Sequence, residues 1–226
     1  MGWHSFCKKH LIFIVVDLSS YNYIFYDLET TGQNPCFDQP VRFAAIETDS
    51  NLQPVNSYNI DIKLRNDILP HPKALLVNRL SISDLETGLF EYEAFQEIHK
   101  IMNKPNTISI GYNSLNFDDI FLRFGFYRNL FEPYSHHNPL KGNNFRADLY
   151  NIIFMYYLYK QEESIIWPII NNRLSLKLEQ INSINHLYEG MSHDAEVDVQ
   201  VTIKLAQKLK SIDDKMWDYL VLNFVK

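Results

Sequence analysis

Residues 23–32 read YIFYDLETTG, an aromatic and β-branched run that ends in two acids and a turn. Such a run is typical of a buried strand. Asp27 and Glu29 are two positions apart, so both side chains point to the same face of an extended chain. Open α/β sheets place their sites at the carboxyl ends of strands. This stretch therefore predicts a site as well as a strand, although a D-x-E pair alone is more often two solvated acids.

A second acidic cluster follows another apolar run. The stretch 107–113, TISIGYN, is β-branched and predicts a strand. A helix is predicted next, because Phe117, Phe121 and Phe124 repeat at helical spacing. Acids are favoured at the start of a helix by its dipole, so Asp118 and Asp119 carry no functional weight by themselves.

The third cluster pairs a histidine with an acid. His193 and Asp198 lie at the head of a helical pattern whose apolar positions are Ala195, Val199, Ile203 and Ala206. An acid beside the apolar side of a packed helix is costly unless it is paired or bound to a cation. The ordinary imidazole pKa of ~6.5 suits a base that deprotonates water. Together, the three clusters indicate a two-metal site for cleaving phosphodiester bonds.

In this order, D-x-E, a central Asp and H-x-x-x-x-D resemble the DEDDh exonuclease superfamily. Within it, the chain is similar to the bacterial exonuclease I branch, from about Tyr23 to about Ala206. The similar stretches include IFYDLETTGQNPCFDQPVRFAAIETDS, GYNSLNFDDIFLRFGFYRNLFEPY, FRADLYNI, IIWP, LSLKLEQIN and SHDAEVDVQVTI. The resemblance implies an α/β, ribonuclease H-like fold, with a mixed five-stranded sheet and helices on both faces.

The resemblance also implies a 3′→5′ exonuclease that degrades single-stranded DNA to mononucleotides in repair and recombination. Its cofactor would be two Mg²⁺ ions per site, or Mn²⁺. The implied metal ligands are Asp27, Glu29, Asp118 (partly through water) and Asp198, with His193 as general base. The implied substrate-binding residues are Glu29, Thr30, Arg123, Tyr134 and Lys177.

The chain departs from the family pattern at Lys177 and at the pair Asn78 and Arg79. Lys177 stands where the exonuclease I branch typically has arginine, which exchanges a two-pronged donor for a point charge. Asn78 and Arg79 stand where the superfamily commonly has Thr-Gly, so the contacts to the terminal nucleotide at this position are expected to differ.

The resemblance divides the chain into two parts. Residues 1–20 are an N-terminal extension of unclear role, and the apolar run LIFIVV at 11–16 is too short to span a bilayer. Residues 21–226 are expected to form the exonuclease domain, without the SH3-like and helical C-terminal domains of the family. In the family, those domains help to bind single-strand-binding protein, so we expect binding of this partner to be weakened or lost.

Composition agrees with one cytoplasmic domain, and we further expect a monomer that does not associate with membranes. The two cysteines show neither metal-ligand spacing nor a disulfide framework. The net charge of −6 excludes a broadly basic surface. It instead indicates a focused electropositive path for a nucleic acid, with the negative charge of the site acids offset by bound cations. The basic residues Lys204, Lys208 and Lys210 are interpreted as a solvated helix face.

The predicted elements begin with strands at 23–28, 41–48 and 57–64, a helix at 91–103, a strand at 107–112 and a helix at 117–130. A strand or helix at 147–159 and helices at 175–185 and 194–210 follow, and a terminal helix at 215–226 exposes Trp217, Tyr219 and Phe224.

Three other functions stay open: an exoribonuclease of the same superfamily, a proofreading subunit bound to a polymerase, and a nucleic-acid-binding remnant that no longer cuts.

Overall fold

The chain folds around one five-stranded mixed sheet. The computed structural model describes residues 17–138, 140, 142–160, 165–190 and 194–224. The strands are β1 (Asn22–Thr30), β2 (Pro40–Thr48), β3 (Pro54–Asp61), β4 (Thr107–Gly111), β5 (Phe145–Asp148), β6 (Ile169–Ile170) and β7 (Arg173–Leu174). The helices are α1 (Pro72–Asn78), α2 (Ile82–Leu85), α3 (Glu91–Met102), α4 (Asp118–Arg128), α5 (Leu149–Tyr159), α6 (Leu178–Asn185), α7 (Ala195–Ile212) and α8 (Asp214–Phe224).

The strand order is β3-β2-β1-β4-β5. Residues 31–39 connect β1 to β2, and residues 49–53 connect β2 to β3. These three strands pair antiparallel, whereas β4 and β5 continue the sheet in parallel with β1. Parallel neighbours need long crossover connections, which here contain α3 and α4. The predicted mixed five-stranded sheet is confirmed, and the strands β6 and β7 form a separate small hairpin.

Alternation along β1 divides its side chains between two cores. Tyr23 and Phe25 face the layer formed by α5, α6, α7 and α8. Ile24, Tyr26 and Leu28 face the layer formed by α3 and α4. Nearly every residue of β1 is buried because helices cover both faces of the sheet. The prediction of helices on both faces is therefore confirmed.

Several predicted boundaries were wrong. The third strand ends at Asp61 rather than at 64, and the ambiguous region at 147–159 contains the end of a strand followed by a helix. Phe124 is 39% exposed, so it does not lie on the buried face of its helix. Phe126, and not Phe124, is buried together with Phe121. The short helices α1 and α2 and the hairpin were not predicted, since each is too short to show a clear hydrophobic period.

The terminal helix exists, but its exposed face was predicted wrongly. Trp217 is fully buried and packs into the same core as Tyr23 and Tyr156, whereas Tyr219 is 65% exposed. Phe224 is half-buried against that core. The helix α8 therefore belongs to this fold. No helix within the described ranges is long and apolar enough to cross a membrane.

Replacing Trp217 by alanine should lower the free energy of unfolding by about 3–5 kcal/mol, because it removes a large buried ring and leaves a cavity. Urea unfolding followed by circular dichroism measures the change. The matched control is Tyr219→Ala on the same helix, which should change stability by less than about 0.5 kcal/mol. Equal losses for both variants would contradict the assignment of α8 to the core.

Candidate active site

The predicted acids of the first and third clusters meet at the carboxyl end of β1. Asp27 and Glu29 continue the alternation of Tyr23 and Phe25, so they lie on the face of the sheet that α7 covers. The fourth residue of α7 is Asp198. One carboxylate oxygen from each of the three acids lies within 4.8 Å of the others. This spacing allows all three to bind one cation.

The position of Asp198 follows from how α7 starts and packs. The carboxylate of Asp194 caps the helix, accepting hydrogen bonds from the backbone N–H of Glu196 at 3.1 Å and of Val197 at 3.5 Å. The buried residues of α7 include Ala195, Val199, Ile203 and Ala206, as the sequence predicts. Packing of that apolar face against the sheet brings the first turn of α7 to the end of β1.

Asp118 reaches the site from the other side of β1. It lies at the start of α4, and its Oδ1 accepts a hydrogen bond of 3.1 Å from the backbone N–H of Leu28, between the two acids of β1. The preceding turn is held by Asp148, whose carboxylate accepts hydrogen bonds from the backbone N–H of Asn113 and Leu115. Asp118 is thus buried beside the group of three acids but is not a member of it.

These carboxylates repel one another in a desolvated setting. Burial, together with the carboxylates of Asp118, Glu29 and Asp198, raises the pKa of Asp27 well above its usual range. Burial and the same kind of repulsion raise the pKa of Glu29 to about 8, although Arg42 opposes the shift. Burial also raises the pKa of Asp118 to about 7. Raised carboxyl pKa values in a cleft are typical of catalytic and metal-binding sites.

The acids line a cleft of about 620 Å³. Among its lining residues are five acids, namely Asp27, Glu29, Asp38, Asp118 and Asp198, but one lysine, Lys73. A second cleft of about 840 Å³ adjoins the first and shares Tyr112, Asn113 and Asp198 with it. An anionic substrate would be repelled from the first cleft unless cations offset its carboxylates.

The predicted substrate-binding residues are divided between different surfaces. Thr30 lines the first cleft and Lys177 lines the second. Arg123 and Tyr134 line neither cleft; the guanidinium of Arg123 lies 5.6 Å from the centre of the Tyr134 ring. The Nε atom of Arg123 is also 3.0 Å from Oδ2 of Asp119. The predicted base, His193, lies outside the described residues.

Asn78 and Arg79 show what the departure from Thr-Gly does. Arg79 follows α1 with a φ of 55°, in the left-handed region where glycine is favoured. The side chain of Asn78 donates a hydrogen bond of 3.0 Å to the backbone oxygen of Thr30. Asn78 therefore connects the wall of the cleft to the end of β1.

A second group of possible metal ligands consists of Asp119, His136 and His137. Burial pushes the pKa of Asp119 upward, but hydrogen bonds from His136 and Arg146 hold it at about 2. Oδ1 of Asp119 is 2.9 Å from Nε2 of His136, and Oδ2 contacts both Arg146 and Arg123. Because two guanidinium groups already neutralise this carboxylate, a divalent cation is disfavoured here.

The sequence prediction missed residues that shape the site without carrying its charge. Asp194 and Asp148 each precede a helix and cap it, a role that Asp at a helix start signals. Tyr112 lies between the two clefts, and its hydroxyl donates a hydrogen bond to the backbone oxygen of Leu176. No spacing rule pairs Tyr112 with Leu176, because the contact joins distant parts of the chain.

Comparison with known proteins agrees with this geometry. The sequence profile described as exonuclease matches residues 24–206. The chain belongs to the exonuclease family. Within that family, it is 36% identical over 206 residues to the exodeoxyribonuclease I of Buchnera aphidicola subsp. Schizaphis graminum. That alignment covers 88% of this chain and 41% of the relative.

Two further exonuclease-family comparisons come from Escherichia coli. Its exodeoxyribonuclease I is 33% identical over 201 residues, covering 88% of this chain and 42% of the relative. The zinc-ion-bound structure of its exonuclease I with single-stranded DNA has a TM-score of 0.84 at 33% identity, covering 90% of this chain and 43% of the other. The chain thus spans less than half the length of these relatives.

The raised acid pKa values predict how stability depends on pH. Glu29 binds its proton more tightly in the folded protein than in the unfolded chain, so its contribution to stability decreases as the pH rises from about 4.5 to about 8. In metal-free protein, Glu29→Gln should therefore raise the melting temperature at pH 8 by a few degrees, and less at pH 4.5. Calorimetry with EDTA measures this change.

Addition of Mg²⁺ at pH 8 should stabilise the unsubstituted protein and should stabilise Glu29→Gln less. The matched control is Glu86→Gln, which changes an exposed acid that is distant in sequence from the cluster. A metal-free melting temperature that is unchanged or lower in Glu29→Gln would contradict the repulsion described above.

Proposed function

We propose that this chain is a metal-dependent 3′→5′ exonuclease that removes mononucleotides from single-stranded DNA, with residues 21–226 as its catalytic domain. The observation that carries the proposal is the group of three acids in the cleft, whose oxygens lie within 4.8 Å of one another. Similarity to exodeoxyribonuclease I supports the reaction and the substrate.

The donor set fits hard divalent cations. Asp27, Glu29 and Asp198 supply carboxylate oxygens, the ligands that Mg²⁺ and Mn²⁺ prefer, and Asp118 would complete the set partly through water. The raised pKa values of Asp27, Glu29 and Asp118 also fit, since these acids repel one another until cations bind. Two bound cations would stabilise charge on the attacking and leaving oxygens of a phosphodiester displacement.

The protein's own groups would then position the strand and move a proton. Thr30 borders the acids in the first cleft and would approach the terminal nucleotide. Lys177 lines the adjoining cleft and would contact a phosphate as a point charge. His193, one residue before the cap of α7, would accept the proton of the attacking water.

Arg123 and Tyr134 form a cation–aromatic pair outside the two clefts. The Arg123 guanidinium is engaged by Asp119 and stacks near Tyr134, so it would meet a strand as part of a fixed pair. Such a pair combines a cation with an aromatic face, which suits a phosphate and an unpaired base. We propose that it contacts DNA that extends beyond the two clefts.

The family resemblance further suggests a role in DNA repair and recombination, in the cytoplasm and as a monomer. Contact with single-strand-binding protein also belongs to the family, but we expect it to be weakened or lost in this chain. These assignments are part of the proposal, and each is open to a separate experiment in cells or with purified partners.

Digestion of a 5′-labelled single-stranded DNA oligomer with Mg²⁺ tests the reaction. A descending ladder of products is expected, and Asp198→Asn should reduce the rate at least ~100-fold because it removes a ligand from the centre of the site. Asp218→Asn, the same change on α8, is the matched control and should retain activity. The cleavage rate of a matched RNA oligomer, compared with that of the DNA, tests the alternative that the chain is an exoribonuclease. Absence of cleavage of both oligomers by folded protein would contradict the proposal.

The assignment of His193 has its own test. His193→Ala should lower kcat by ~100-fold or more, because general-base catalysis contributes about that much, while the affinity for the oligomer stays nearly unchanged. Single-turnover kinetics and fluorescence anisotropy measure the two quantities. His186→Ala is the matched control. Weakened binding with an unchanged turnover per complex would exclude His193 as the base.

A further inference from the structure

The first cleft has one wall that is poorly anchored by apolar packing. The segment 63–78, called the cleft wall here, supplies eight of the twenty residues that line the cleft. All of these residues are described, and Pro70 is the one buried among them. The helix α1, at the end of the wall, buries no residue. Polar contacts must therefore fix the wall relative to the acids.

Gln39 provides two of these contacts. Its side chain is fully buried immediately before β2. The amide Nε2 donates a hydrogen bond of 2.8 Å to the backbone oxygen of Lys63. Its Oε1 accepts a hydrogen bond of 3.0 Å from the backbone N–H of Arg65. The side chain thus pairs with the wall as a neighbouring strand would.

The backbone of Gln39 is bonded in turn to the end of β1. Its carbonyl oxygen accepts a hydrogen bond of 2.9 Å from the N–H of Thr31, and its own N–H donates to Oγ1 of Thr31 at 2.9 Å. The carbonyl oxygen of Thr31 accepts a hydrogen bond of 2.8 Å from the N–H of His71, which lies in the wall. Gln39 and Thr31 therefore join the wall to the strand that carries Asp27 and Glu29.

A surface ion pair adds a weaker attachment. Arg65 Nη1 lies 3.1 Å from Oε2 of Glu91 at the start of α3. The same carboxylate also pairs with Arg128 at the end of α4. This pair is partly exposed at Arg65, so it is screened by solvent, whereas the Gln39 amide is fully buried. The buried contact is the stronger constraint.

We infer that Gln39 is a positioning residue that sets the distance between the cleft wall and the metal-binding acids, and thereby the affinity for the end of the DNA strand. This inference rests on the proposed function, because the strand must enter between the wall and the acids. Gln39 makes its hydrogen bonds with Thr31, Lys63 and Arg65, and not with the three acids of the metal-binding group. Its loss should weaken binding of substrate and transition state alike, which raises KM without lowering kcat.

The test compares Gln39→Leu with Gln207→Leu. Gln207 on α7 also donates a hydrogen bond from Nε2 to a backbone oxygen, that of Leu52 at 2.7 Å, but it does not contact the wall. Gln39→Leu should raise KM for a single-stranded DNA oligomer ~10-fold and change kcat less than ~2-fold. Gln207→Leu should leave both parameters within ~2-fold of the unsubstituted protein, even if it loses a similar amount of stability.

Hydrogen–deuterium exchange supplies a readout that does not need activity. In Gln39→Leu, exchange should accelerate across residues 63–71, while the rise in melting temperature caused by Mg²⁺ stays the same. Unchanged exchange would show that Gln39 does not hold the wall. Faster exchange with an unchanged KM would show that the position of the wall does not govern binding. Either result overturns the inference.

A second variant guards against misfolding of Gln39→Leu. Arg65→Lys keeps the charge but loses the guanidinium contacts with Glu91 and Asp67, and the side chain it changes is partly exposed. It should raise KM by less than ~3-fold, and by less than Gln39→Leu does. A larger rise than that of Gln39→Leu would show that the surface ion pair, and not Gln39, sets the position of the wall. If the unsubstituted protein shows no exonuclease activity, the proposed function fails, and exchange together with oligomer affinity by anisotropy still tests Gln39.

Discussion

The mutual repulsion of buried carboxylates at the end of β1 is the constraint on which the site depends. Asp27, Glu29 and Asp118 all have raised pKa values because they are desolvated beside one another. Such an arrangement destabilises the fold unless something else holds it together. Here the apolar packing of β1 and α7 does so. The acids are therefore preorganised for cations, and part of the stability of the protein is given up to keep them close.

The two sides of the cleft are held by different forces. The acids lie on elements whose other side chains form the two cores, so their positions are set by close packing. The wall opposite them is attached through hydrogen bonds that join it to Gln39, Thr31 and Thr30. In a site built this way, close packing fixes the positions of the charges, whereas the position of the wall depends on a few polar contacts. Changes at those contacts would then tune binding separately from metal affinity.

Two consecutive acids show how strongly tertiary surroundings determine chemistry. Asp118 and Asp119 are neighbours at the start of α4, and successive side chains on a helix point about 100° apart. Burial, with a smaller contribution from the carboxylates of Asp148 and Asp119, raises the pKa of Asp118 to about 7. Asp119 faces His136, Arg123 and Arg146, and its pKa falls to about 2. The first is suited to a metal site, and the second is suited to joining α4 to β5.

The family resemblance implied the five-stranded mixed sheet and the acids of the site. The sequence by itself predicted the order of the central elements, because periodicity and short-range spacing encode which face a residue occupies. It also predicted that Asp27 and Glu29 share a face and that α7 has an apolar side beside Asp198. It could not place Trp217, since a terminal amphipathic helix looks alike whether its apolar face is covered or exposed. Only the tertiary structure decided that Asp119 pairs with His136, Arg123 and Arg146, and that the Gln39 side chain hydrogen-bonds to the backbone of the wall. Those outcomes depend on contacts between segments far apart in the chain, and no local pattern specifies them.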